Sequence, residues 1–262
     1  MTTVRPPLLA LSPWTILHIP HDSCFIPRSV LSKLKLNDRE LDRELLNMTD
    51  FWTFALYANG VALSQTVIAP VSRLVTDVER FVNDREEPMS QRGMGVIYTT
   101  TSLGRQLRDQ PTSRQRNQLI ETWYRPHHQK LTALVKRALN LYGRALIIDA
   151  HSFASRALPY EDSQLARPEI CIGTDAIHTP KPLIAAAMDS FSHAGLHVEQ
   201  NSPFSGALTP IKHYGKDSRV HSIMIETRRD LYEDEKSGQI CNGFVRLSRT
   251  LQRVLCDISY AF

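Results

Sequence analysis

Ala145-Leu-Ile-Ile-Asp-Ala-His-Ser152 reads as a central strand of an open α/β sheet. Four buried-type residues run directly into Asp149, His151 and Ser152, so an apolar strand ends by delivering polar side chains to the carboxyl edge of its sheet. That edge is where ligands bind in open α/β sheets. Asp149 and His151 lie two residues apart and point to the same side wherever the strand continues. A second segment has the same shape, Trp14-Thr-Ile-Leu-His-Ile-Pro-His-Asp-Ser23, again an apolar strand running into His and Asp. Two strand ends that each supply a histidine point to a metal site.

Working outward, strands are expected over 15–19, 61–69, 73–77, 145–149, 169–172, 197–200 and 219–226. Helical spacing of apolar residues covers 37–48, 113–142, 182–194 and 236–259. Asn37 caps the first helix, Asp50 caps a short one ending near Asn59-Gly60, and Pro126 kinks or splits the longest. Strands alternating with helices predict a single domain, a three-layer α/β/α sandwich around a mostly parallel mixed sheet. Residues 83–112 form a long polar loop with the character of an active-site cover. Phe51, Trp52 and Phe54 read as core.

The 262 residues carry a net charge of +4, with 42% hydrophobic and 22% charged residues, the composition of an ordinary globule. No apolar run approaches the roughly 20 residues of a membrane helix, and the N-terminus lacks a signal pattern, so a cytoplasmic location is expected. Arginines are dispersed, which argues against a nucleic-acid partner, and the mild positive charge suits a small anionic molecule. Cys24, Cys171, Cys241 and Cys256 are scattered without a Cys-x-x-Cys pair, so reduced thiols are expected and a cysteine-type zinc finger is excluded.

Four groups of residues carry chemistry. They are Pro20-His-Asp-Ser23, Ser72-Arg-Leu-Val-Thr-Asp-Val-Glu-Arg80, Asp149-Ala-His-Ser152, and Ser222 through Tyr232 with Glu226 and Arg228 on one strand face. A hydrolytic zinc site needs about three protein ligands and an open position. His21 and His151 supply two, and a carboxylate supplies the third. Glu226 is the best-placed base for water. Arg73, Arg80 and Arg228 are candidates for holding a substrate carboxylate or polarising a carbonyl. His213, in a Gly-flanked loop, is a candidate substrate contact. His18 is expected to face away from the site, and His128 to be a packed helix residue. Together these groups describe metal-assisted hydrolysis of an amide whose substrate carries carboxylates.

The ordered pieces extend the pattern. They are Ile19-Pro-His-Asp-Ser23, Thr49-Asp50, Ser72-Arg73, Asp77-Val-Glu-Arg80, Gly95-Val-Ile97, Pro126-His-His128 and Ile148-Asp-Ala-His-Ser152. Ile170-Cys-Ile-Gly-Thr174, Pro203-Phe-Ser-Gly206, His213-Tyr-Gly215 and Ile225 through Tyr232 complete them. This set resembles the N-formylglutamate amidohydrolase family over nearly the whole chain, and through it the zinc carboxypeptidase and aspartoacylase group. The resemblance implies a mixed sheet between helices, a zinc ion (with cobalt and manganese as other options), His151 as the later histidine ligand and Glu226 as the base. It implies Arg73 and Arg80 as the substrate-contacting pair. It also implies hydrolysis of N-formyl-L-glutamate to formate and L-glutamate, the last step of one histidine-degradation route. Two departures stand out. The His-x-x-Glu of the wider group is absent, because Cys24 follows His21 at that spacing; Asp50 replaces the glutamate ligand, with Asp22 as the rival. Glu79 stands where the family typically has Asn. Another N-acyl amino acid or a small peptide as substrate, or a non-catalytic binder of acidic metabolites, are the alternative readings.

Overall fold

The computed structural model describes residues 10–58 and 60–261. Asn59 and the N-terminal residues on which the signal-pattern reading rests lie outside them. Six strands form the main sheet: β1 (Thr15–Ile19), β2 (Thr66–Ile68), β3 (Ala145–Phe153), β4 (Ile170–Gly173), β5 (Val198–Gln200) and β6 (Val220–Arg228). Their order is β2-β1-β3-β6-β4-β5. β2, β1, β3 and β6 run parallel, and β4 reverses direction against β6, so the sheet is mixed and mostly parallel.

The helices are α1 (Arg28–Leu31), α2 (Asp38–Met48), α3 (Thr53–Tyr57), α4 (Ser113–Leu119), α5 (Arg125–Tyr142), α6 (Lys181–His193) and α7 (Phe244–Tyr260). Strand alternation sorts the sheet into two apolar faces. Leu146, Ile148 and Ala150 of β3, with Ile223 and Ile225 of β6, pack on α3, α6 and α7. Ala145 and Ile147, one residue out of phase, pack with Ile16 and Val220 against Leu131, Val135 and Ala138 of α5. This gives the three layers the alternation of elements predicts. The α5-facing side of the sheet carries His18, Asp149, His151 and Glu226 where its apolar stripe ends. No helix among the described residues is long and apolar enough to cross a membrane, and all four cysteines are free.

Several expected elements differ. Residues 73–77 form turns rather than a strand. Val75 N donates to Ser72 O and Arg80 N to Asp77 O, and Arg73 reaches Asp77 four residues on, which an extended chain would forbid by holding the two about 13 Å apart. The segment 61–69 is extended only at β2, after a short 3₁₀ turn at Leu63–Gln65. The long helix is interrupted by one wide turn, Ile120–Tyr124, and Pro126, which has no N–H to give, sits in the first turn of α5. The last helix begins at Phe244 because residues 233–240 form a small hairpin whose turn uses Gly238 at φ +66. α3 ends at Tyr57 and starts without a side-chain cap: Asp50 gives its backbone carbonyl to Thr53 and leaves its carboxylate free for other partners. Trp52 is 39% exposed, with its indole N–H donating to Gly238 O, so it is not core. Residues 83–112 lack long elements yet are anchored, with Met94, Tyr98 and Leu107 packing on Met48 of α2.

Candidate metal centre and active-site cleft

His151 at the end of β3 lies beside Glu226 of β6 in strand register, and Pro20 turns the chain after β1 so that His21 reaches the same edge. The two rings approach through their Nδ1 atoms at 3.3 Å. Asp50 Oδ2 lies 3.3 Å from His151 Nδ1 and 3.7 Å from His21 Nδ1, and all three residues are buried. The outer nitrogens are pinned: His21 Nε2 to Asp77 Oδ1 at 2.9 Å and His151 Nε2 to Asp149 Oδ1 at 3.1 Å. A carboxylate that accepts a hydrogen bond from Nε2–H keeps the proton on Nε2 and leaves the Nδ1 lone pair inward, the arrangement that orients histidines on a metal. Two facing lone pairs beside a carboxylate oxygen repel unless a cation sits among them, and two imidazoles plus one carboxylate are a zinc-type donor set. These residues therefore fit a divalent cation. Burial works against charge on His151, but Asp149, Asp50 and Glu226 outweigh it and hold its pKa above the usual value, so the pocket favours a positive charge at this point.

Asp22, the rival ligand, is turned aside and accepts from Thr53 Oγ1 at 3.3 Å. Asp50 is held from behind by Arg229, whose Nη2 donates to Oδ1 at 2.9 Å while Nη1 donates to the Leu46 and Asn47 carbonyls. Asp77 is the second organiser. Its Oδ2 accepts from Arg73 Nη2 at 2.8 Å and from the Tyr98 hydroxyl. Burial opposes its ionisation, yet Arg73, His21 and Arg80 keep its pKa well below the usual range.

Glu226 lines the cleft, is 8% exposed, and its Oε2 has no hydrogen-bond partner. Burial pushes its carboxyl up to about 7, with Asp50 adding to the shift and His151, Arg229 and Arg73 opposing it. The cleft holds about 1560 Å³ and is also lined by Arg73, Glu79, Arg80 and His128. Arg80 Nε has no hydrogen-bond partner and stands 3.8 Å from Asp77 Oδ2 and 3.9 Å from Glu87 Oε1, so that N–H is open to a substrate oxygen. Arg73 is already engaged.

Two expected substrate contacts lie elsewhere. Arg228 Nε donates to Asp230 Oδ1 and its Nη1 to Arg167 O, both at 2.8 Å. The strand ends at Arg228, and a 3₁₀ turn swings Arg229, not Arg228, toward the site. His213 does not line the cleft, though its neighbours Lys212 and Tyr214 do. His18, expected to face away, instead points to the site side, with Nδ1 2.8 Å from Asp149 Oδ1 and Nε2 2.7 Å from Nε2 of His127 on α5. His128 is half-buried and bonds to Val78 O. Sequence reading missed Arg229, His127 and the role of His18. The double Arg228-Arg229 and the paired His127-His128 were the signals present.

The chain is similar to several known proteins. The family model described as N-formylglutamate amidohydrolase matches residues 14–233. The chain is 28% identical over 200 residues to an N-formylglutamate deformylase of Pseudomonas aeruginosa, covering 73% of each. It is 27% identical over 195 residues to one of Pseudomonas putida, covering 71% of each. Its fold matches the crystal structure of an N-formylglutamate amidohydrolase from Ralstonia eutropha JMP134, with a TM-score of 0.79, 23% identity, and coverage of 95% of this chain and 93% of that one. A gene product of Agrobacterium tumefaciens matches with a TM-score of 0.66 at 18% identity, over 94% and 90% of the two chains. With the family model spanning most of its length, the chain belongs to the N-formylglutamate amidohydrolase family.

Proposed function

We propose that this protein hydrolyses the formyl amide of N-formyl-L-glutamate, with a zinc ion held by His21, Asp50 and His151. The observation that carries the metal assignment is the convergence of two Nδ1 atoms and one Oδ2 whose outer partners are already fixed. When bound there, zinc supplies Lewis-acid polarisation of the formyl carbonyl and makes water nucleophilic near neutral pH.

The remaining work falls to side chains. Glu226, with its carboxyl pushed toward neutrality, takes a proton from the attacking water as the oxygen bonds to the formyl carbon. As the C–N bond breaks, Glu226 hands that proton to the departing nitrogen, giving formate and glutamate. Arg80 receives a substrate carboxylate in a charge-assisted hydrogen bond. Arg73 contributes positive potential while holding Asp77, which holds His21. Arg229 keeps the Asp50 carboxylate in place. By the chain's resemblance to N-formylglutamate deformylases, the reaction would serve the last step of a histidine-degradation route, releasing free glutamate.

A second reading, hydrolysis of another N-acyl amino acid, has one specific observation in its favour. Glu79 lies in the cleft wall and places a carboxyl group where a substrate carboxylate would approach. Initial rates with N-formyl-L-glutamate and N-formyl-L-glutamine, which lacks the side-chain carboxylate, in competition separate the two: preference for the glutamate substrate supports the first, and preference for the glutamine substrate the second.

A further inference from the structure

Glu79 sits in an unusual setting. Its Oε1 is buried without a hydrogen-bond partner and lies 3.4 Å from His18 Nδ1, while His18 Nδ1 is 2.8 Å from Asp149 Oδ1. These three atoms, from β1, the turn before the long loop, and β3, all lie within 4.8 Å of one another. Across the cluster, Glu79 Oε2 is 3.8 Å from His151 Nε2 and Asp149 Oδ1 is 3.1 Å from it. Arg80, the adjacent cation, turns its Nε toward Asp77 and Glu87 instead. Two carboxyl groups therefore share one corner with the His18 and His151 imidazoles, with Leu208 N donating to Asp149 Oδ2 at 3.3 Å, and like charges in such a place repel strongly.

We propose that His18 Nδ1, Glu79 and Asp149 form a second divalent-cation site, across the His151 ring from the one made by His21, Asp50 and His151. The chemistry of the donors supports it. One imidazole and two carboxylates suit zinc, manganese or cobalt. The His18 ring is already oriented, because its Nε2 can donate to His127 Nε2 at 2.7 Å and leave Nδ1 inward. Glu79 and Asp149 both line the cleft, so an ion has a path in and solvent can complete its coordination. His151 lies between the two sites, facing the first through Nδ1 and the second through Nε2. The pair is thus separated by an imidazole rather than bridged by one oxygen, and the second ion acts by charge. It turns Glu79 from a group that repels an anionic substrate into a neutralised ligand beside Arg80.

The second site borders His151 without using it as a ligand and does not depend on the catalytic reading of the first. Metal-to-protein ratio, measured on full-length protein stripped with chelator and then equilibrated with excess zinc and desalted, tests it without reference to activity. Two ions per chain are expected in the wild type and one in Glu79→Gln, with circular dichroism verifying an unchanged fold. An anomalous difference map of zinc-equilibrated wild-type crystals should show a peak among His18, Glu79 and Asp149. One ion in both proteins, with density only at His21 and His151, would overturn the second site and leave the first intact. Two ions in both would overturn the ligand assignment. No ion in the wild type would overturn both sites.

Discussion

Replacing Glu226 with glutamine should make the metal-stripped protein more stable at high pH and should slow turnover of the zinc-loaded protein. The carboxyl is 8% exposed and one of its oxygens has no partner. Burial raises its pKa from 4.5 to about 7, which corresponds to roughly 3 kcal/mol between the two protonation states. The sign follows from linkage. The folded chain binds this proton more tightly than the unfolded chain, so its stabilising contribution is complete below about 4.5 and is lost as pH rises through about 7. Glutamine never ionises and escapes that loss. Glu226→Gln should therefore match the wild type within about 1 kcal/mol at pH 5 and exceed it by roughly 3 kcal/mol at pH 8.5. Urea unfolding of chelator-treated protein at both pH values measures the gap. Turnover of the zinc-loaded variant should fall by about 10² to 10⁴, the usual contribution of a general base. A stability gap that does not change with pH, or a wild type that gains on the variant at high pH, would refute the claim that burial holds this carboxyl near neutrality.

Other substitutions test separate parts of the arrangement. Arg73→Ala should cost about 3–5 kcal/mol in urea unfolding, because Asp77 keeps its buried charge and loses the guanidinium that donates twice to Oδ2; a loss under about 1 kcal/mol would mean that Asp77 is neutral in the fold. Arg228→Ala should leave kcat/KM within about twofold, since its guanidinium is engaged with Asp230 and the Arg167 carbonyl, and a large rise in KM would restore it as a substrate contact. Tyr57→Phe should lower stability by about 1–2 kcal/mol by removing the hydroxyl that donates within reach of the His151 and Ile225 carbonyls; unchanged unfolding would show that water replaces it.

The residues show why some of this was legible and some was not. β1 and β3 could be read directly because short apolar runs bounded by polar residues admit few other structures, and their common edge followed from the parallel order. That edge places His21 and His151 near each other from the sequence alone. Asp50 was reached only through the family resemblance at Thr49-Asp50, since an Asp before a short helix reads equally well as a cap. Residues 73–77 misled because β-branched Val75 and Thr76 mimic a strand, while the Arg73–Asp77 pair that makes the turn is a tertiary commitment to His21. Arg229 was missed by one residue, since strand termini set the side-chain face and a 3₁₀ turn there reverses it. His18 required knowing that β1 and β3 pair with His18 opposite Asp149, a register that spacing within either strand does not contain. His127 required the docking of α5 on that same face.

Formate release from N-formyl-L-glutamate, followed in protein as purified, after chelation, and after zinc is restored, tests the central claim most directly. The account predicts turnover that is lost on chelation, returns with zinc, and fails to return in His151→Ala. Formate release that survives chelation with no metal left on the protein, or full zinc binding and turnover in His151→Ala, would contradict it.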